Sequence, residues 1–146
     1  MKSAGIVLLL VNMLAWQACS VKPEPLVYGK DMCHTCKMTL VDAKYGAEIL
    51  TKKGKIYKFD DVNCLVNFYT SDYEEKSNIQ QVLVIDFATQ EKLIDVSTAH
   101  FVRSDTIRSP MGSGVAAFST AEGLNSYNNQ WKGELLTWDD VVQKLQ

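Results

Sequence analysis

Two thiols, an imidazole and two thioethers fall within Asp31-Met32-Cys33-His34-Thr35-Cys36-Lys37-Met38. Thiolate and thioether sulfur are soft donors that favour Cu(I) over hard cations. The C-x-x-C spacing of Cys33 and Cys36 places two sulfurs on one side of a turn. If the chain is extended beyond Cys36, residues i and i+2 face the same way, so Met38 joins Cys36 at one ion. Met32 then points away from Cys33 and is a bystander. Cu(I) is satisfied by two or three soft ligands, so this loop alone nearly completes a site. A site built for transfer should be open, unlike a closed structural zinc site.

The remaining candidates lie apart in the chain. Met111 sits in Ser109-Pro110-Met111-Gly112-Ser113-Gly114, where a flexible side chain between Pro and Gly is presented to solvent; the simpler reading is a Met packed beneath its own loop. His34 is either a further ligand or a surface residue of the turn. Cys64 lies off the apolar stripe of its helix and reads first as a small half-buried residue, and otherwise as a thiol facing the loop. His100 opens a strand and reads as a residue that packs or hydrogen-bonds. A haem attachment needs C-x-x-C-H, and Lys37 follows Cys36. A zinc site needs four ligands, which Cys33, Cys36, Cys64 and one His could supply, but no second ligand pair is present. A thioredoxin-like pair expects a helix N-terminus in a βαβ unit. Here the pair precedes a hairpin, so a thiol–disulfide oxidoreductase using Cys33 and Cys36 is the alternative function. No nucleophile triad, phosphate loop or dinucleotide turn is readable, and Asp60-Asp61 and Asp139-Asp140 read as helix caps. The chain is therefore not expected to be an enzyme.

Lys2 followed by the apolar run Ile6 to Ala15 has the form of a signal peptide, too short to span a bilayer. Ala18-Cys19 then resembles a lipoprotein cleavage site, making residues 1–18 the signal peptide and Cys19 the lipidated first residue. Ser20, rather than Asp, suits the outer membrane. Residues 19–27, with Pro23 and Pro25, form a short extended tether. Three cysteines remain, and an odd number in an exported protein points to a free thiol or a metal ligand. A Cys33–Cys36 disulfide competes with metal binding in this compartment. The formal charge of −2 leaves no electrostatic footprint for nucleic acid, and no basic run argues for it.

The elements that must hold these residues follow from periodicity. Residues 45–59 read as a hairpin turning at Lys52-Lys53-Gly54-Lys55. Val62, Leu65, Val66 and Tyr69 form one helical face, capped by Asp60 or Asp61. Strands are expected at 82–87, 92–96, 100–104, 115–118 and 134–136. A helix capped by Ser119 or Thr120 runs to about Asn129, and Thr137-Trp138-Asp139-Asp140 is a capping box before another. Phe59 and Phe118 occupy equivalent places in a weak internal repeat, as do the two caps and Leu65 and Leu124. The expected fold is α+β: two ββα-type units, 28–78 and 79–146, packed into one monomeric domain.

Together, Asp31-x-Cys33-His34-x-Cys36-x-Met38, Asp42, Ile56 to Cys64 with Phe59, Ser109-Pro110-Met111-Gly112 and Ala117-Phe118 resemble the NosL family. These are copper-binding accessory lipoproteins of nitrous oxide reductase. The resemblance covers about 30–120 and implies a periplasm-facing lipoprotein that holds one Cu(I) and passes it towards that enzyme's copper centres, directly or through its membrane-bound assembly machinery. It implies paired ββα-type modules related in shape to organomercury lyase. It also implies ligands at Cys33 or Cys36, Met38 and Met111, which draws Met111 into the site. Lys37 stands where many members carry glycine.

Overall fold

The computed structural model describes residues 21–146. The expected signal peptide and lipidation site at Cys19 lie outside the described residues. The first hairpin forms as its alternation requires: β1 (Ala47–Thr51) pairs antiparallel with β2 (Ile56–Phe59), with Ala47 opposite Phe59 and Leu50 opposite Ile56. Gly54 turns between them at φ +88°, a left-handed conformation that glycine adopts without steric cost. Helix α1 (Val62–Tyr69) follows at once, N-capped by Asp61, whose carboxylate accepts from the Asn63 amide. Its buried residues Val62, Leu65, Val66 and Phe68 pack with Ala47, Ile49, Tyr57 and Phe59.

A 3₁₀ turn (Lys76–Asn78) leads into β3 (Ile79–Ile85) and then β4 (Leu93–Asp95). β5 (His100–Arg103) and β6 (Val115–Phe118) form the second hairpin. Helix α2 (Ala121–Trp131), capped by Thr120, follows it, then β7 (Glu134–Leu136) and α3 (Trp138–Leu145) with its Thr137/Asp140 capping box. Two antiparallel sheets result, ordered β2-β1-β3-β4 and β6-β5-β7.

The α+β class and the two hairpin–helix units are present, but the partition of strands differs from the expected one. Residues 79–95 extend the first sheet: β3 pairs with β1, and β4 with β3. The cause is visible in the second sheet, where β7 likewise returns after its helix to lie beside β5. The repeating unit is thus ββαβ, closed by a strand that hydrogen-bonds to the unit's own first strand. Phe59 and Phe118 end equivalent strands and are both fully buried, and Leu65 and Leu124 are both buried on the helices that follow. One core lies between the sheets, joining α1, Phe101, Ala117, Leu136 and Val141. A second lies under α2, built from Val102, Phe118, Leu124 and Phe87.

The segment expected as a tether lies against the first sheet. Val21 carbonyl accepts from Gln80 Nε2 at 3.1 Å, Pro25 carbonyl accepts from Lys58 Nζ at 3.2 Å, and Leu26 is buried. A Cβ on Gly46 would come within 2.6 Å of Leu26, so glycine admits this strap to the sheet. Glu48 lies on β1 directly across from Lys58 on β2. It is fully buried, and both of its carboxylate oxygens lack a partner. Burial raises its carboxyl to about 7, while Lys58 pulls in the opposite direction.

A carboxyl whose folded pKa is raised contributes full stability below its ordinary value of 4.5 and loses it as pH climbs through 7. Glu48→Gln should therefore match the parent near pH 4 and exceed its stability at pH 8 by on the order of 2 kcal/mol. Urea unfolding at both pH values checks this; parallel pH profiles for parent and variant would show that Glu48 ionises without cost.

Candidate metal centre

The loop carrying the sulfurs is a tight turn hydrogen-bonded to itself and to the sheet. Cys33 amide donates to Met38 carbonyl at 2.8 Å, and Lys37 amide to Cys33 carbonyl at 3.0 Å. His34 amide donates to Lys58 carbonyl on β2, and Thr35 Oγ1 to Cys64 carbonyl on α1. The loop is thereby held over the junction where β2 ends and α1 begins. That junction supplies Asp60 and Cys64.

Ligand atoms of Cys33, Cys36, Asp60 and Cys64 all lie within 4.8 Å of one another. Cys33, Cys64 and Asp60 are buried, and Cys36 is half-buried. Cys36 Sγ donates to Asp60 Oδ2 at 3.5 Å, whereas Asp60 Oδ1 is buried with no partner. The Cys64 thiol, hydrogen-bonding to Cys33, holds the Cys33 thiol below its ordinary pKa; the same contact, then burial, raises that of Cys64. Burial raises Cys36. Cys64 occupies the first turn of α1, where the helix dipole favours negative charge. Three thiols of unlike proton affinity form a set that a soft cation would satisfy by displacing thiol protons, with the orphaned Asp60 oxygen a hard donor beside them.

The predicted residues divide as follows. Cys33 and Cys36 meet, and Cys64 joins them because it lies opposite the buried stripe, on the side of α1 that the loop covers. Met111 is half-buried against the main core, and its backbone is clamped beside the cluster. Its amide donates to Asp61 Oδ2 at 2.7 Å, and its carbonyl accepts from Asn63 Nδ2 at 3.3 Å. Met38 is 49% exposed on the rim of the turn. The extended run that would have aligned it with Cys36 is absent, because Lys37 between them takes φ +64°. Met32 is exposed. His34 stands outside the converging set. Its ring meets Tyr57, Phe68 and Tyr73 edge-on at 4.9, 5.2 and 5.1 Å, and burial followed by the Lys37 charge lowers its pKa. His100 is exposed at the start of β5.

Asp60 escaped the sequence reading. Adjacent aspartates before a helix looked like redundant caps, yet only one residue can be the N-cap. Asp61 takes that place, and Asp60 is left free to face the thiols.

Fold and cluster define a class: a small α+β protein of two ββαβ units, with a thiol-rich site suited to a soft metal where β2 of the first unit meets α1. The profile of the NosL family matches residues 26–146, and the chain belongs to that family. Among solved structures it resembles the crystal structure of the copper chaperone NosL from Shewanella denitrificans, with a TM-score of 0.68 and 21% identity over 83% of this chain and 96% of that one. No curated protein sequence matches it.

The left-handed Lys37 explains why glycine suits its place in the turn. A side chain in that region costs about 1–2 kcal/mol, partly offset by the greater freedom of glycine when unfolded. Lys37→Gly should accordingly stabilise the metal-free protein by about 0.5 kcal/mol. A fall in thermal midpoint would show that the Lys37 side chain contributes contacts outweighing the strain.

Proposed function

We propose that this chain is a copper chaperone that holds one Cu(I) through cysteine and methionine sulfur. It performs no turnover and yields its cargo for assembly of the copper centres of nitrous oxide reductase. The convergence of Cys33, Cys36, Cys64 and Asp60 beside a clamped Met111 loop carries the reading. Membership of the NosL family and likeness to a copper chaperone support it. Cys33 and Cys36 are the inner thiol ligands, and Cys64 is their close reserve. Cu(I) needs only two or three soft donors, so the outer positions fall to Met111 and to the exposed Met38. Thioethers at the rim bind without losing a proton and suit hand-over by ligand exchange. Asp60 Oδ2 already accepts from the Cys36 thiol, and is placed to take its proton as the metal arrives. The recipient is nitrous oxide reductase or its membrane-bound assembly machinery. The protein acts as a monomer, lipid-anchored through Cys19 to the periplasmic face of the outer membrane.

Three thiols within reach of one another also favour a second reading, a thiol–disulfide oxidoreductase. An anaerobic titration against a chromogenic Cu(I) chelator separates the two. The reduced protein should take up one equivalent. Cys33→Ser should abolish competition with the chelator, and Met111→Ala should weaken affinity by at least about tenfold. Uptake unaffected by Met111→Ala would remove the methionine from the site. No uptake, with dithiol–disulfide exchange that survives loss of both methionines, would instead establish the redox reading.

A further inference from the structure

At the end of the first hairpin remote from the thiols, the chain gathers its lysines. The β1–β2 turn contributes Lys52, Lys53 and Lys55, all exposed. Lys52 is tied to the 3₁₀ turn, its amide donating to Asn78 carbonyl and its Nζ to Ser77 carbonyl at 2.7 Å, which sets Lys76 beside it. The strap enters at the same place. Val21 lies 4.0 Å from the Cβ position of Gly54 and is fixed by Gln80, with exposed Lys22 next to it. Five lysines therefore share this end. Facing them are Glu74, which is 4.0 Å from Lys55 but shielded and bonded to Tyr57 and Asn78, and the exposed Glu75. The whole chain has a formal charge of −2, so this positive end stands against an otherwise acidic protein.

We propose that the lysine turn is a membrane-docking surface that binds anionic phospholipid headgroups and fixes the protein's orientation on the bilayer. The proposal rests on lipidation at Cys19, as in the proposed function. Only Ser20 separates Cys19 from Val21, and two residue steps span at most about 7 Å. With Val21 packed on Gly54, an anchor at Cys19 brings the lysines within about one Debye length of the lipid surface, roughly 8 Å at physiological ionic strength. Charges held so close to anionic lipid are attracted to it. One acyl attachment leaves a domain free to tumble, whereas a second, electrostatic contact restricts its pose. The hairpin supplies a direction. The turn follows Thr51 at one end of β1, and Asp60 follows Phe59, the partner of Ala47, at the other. Five strand residues rise about 15 Å between these ends. A domain seated on its lysines thus presents the thiol cluster away from the membrane, to a partner in solution or to the outward part of a membrane complex.

The test uses the lipidated full-length product bound to vesicles of phosphatidylcholine alone or of phosphatidylcholine with about one third phosphatidylglycerol, neither of which carries an amine. Sulfosuccinimidyl acetate labels accessible lysines, and mass spectrometry reads each rate. Labelling of Lys22, Lys52, Lys53 and Lys55 should fall several-fold on the anionic vesicles, recover in about 0.5 M salt, and leave Lys132 and Lys144 unchanged. Equal rates on both vesicles, with the protein floating with both, would overturn the docking surface while leaving the anchor standing. Failure to float with phosphatidylcholine vesicles would overturn the anchor itself. Protection by soluble heparin, without protection by anionic vesicles, would reassign the patch to a soluble polyanion and overturn the membrane contact.

Discussion

One buried carboxylate holds this molecule's two halves in working order. Asp61 uses Oδ1 to cap α1 and Oδ2 to receive the Met111 amide, fifty residues further along the chain. The group is fully buried, so each oxygen must find a donor or incur the desolvation cost of an unsatisfied acceptor. The two bonds together oblige the start of α1 and the Pro-Met-Gly loop to meet. Its neighbour Asp60 then has nowhere to turn but the thiols. A helix cap, a loop clamp and the acidic edge of the thiol cluster thus follow from two adjacent aspartates.

Around that contact the two units are used differently. In the first, the loop from Cys33 to Met38 covers the helix entrance, and the cluster forms beneath it. In the second, the corresponding place holds Ser119 and Thr120. Ser119 donates to Asp86, and the amide of Gly123, which stands where Cys64 stands in the first unit, donates to the Thr120 side chain. One unit holds the three clustered thiols, and the other contributes the clamped Met111 loop and a second core.

Much of this was legible in residue order. The hairpin at 47–59, the capped helix at 62–69, the strand at 115–118 and the capping box at Thr137 all follow from local rules, and all are present. The pairing of β3 with β1 was not legible, because an apolar run such as Val82-Leu83-Val84-Ile85 does not name its partner. At the site, Cys33 and Cys36 were evident from spacing. Cys64 was left as a weaker candidate because a small residue off the apolar stripe of a helix reads first as half-buried packing; here a loop covers that side. The alignment of Met38 with Cys36 assumed an extended backbone, and a lysine in the left-handed region undoes it. Local pattern reports secondary structure, whereas covering loops and rare backbone angles are decided by contacts distant in sequence.

The separation bridged by Asp61 and Met111 also bears on the order of assembly. The first sheet pairs β1 with β2, and β3 with β4, across short connections, contacts that close early because little loop entropy opposes them. The clamp between α1 and the Met111 loop forms only once the second hairpin has folded and docked. On the proposed reading, a cargo gripped by sulfurs from both units would bind the assembled state alone and add its binding free energy to that docking. Loading would then complete folding as well as fill a site, and release would loosen the joint between the units as the metal departs.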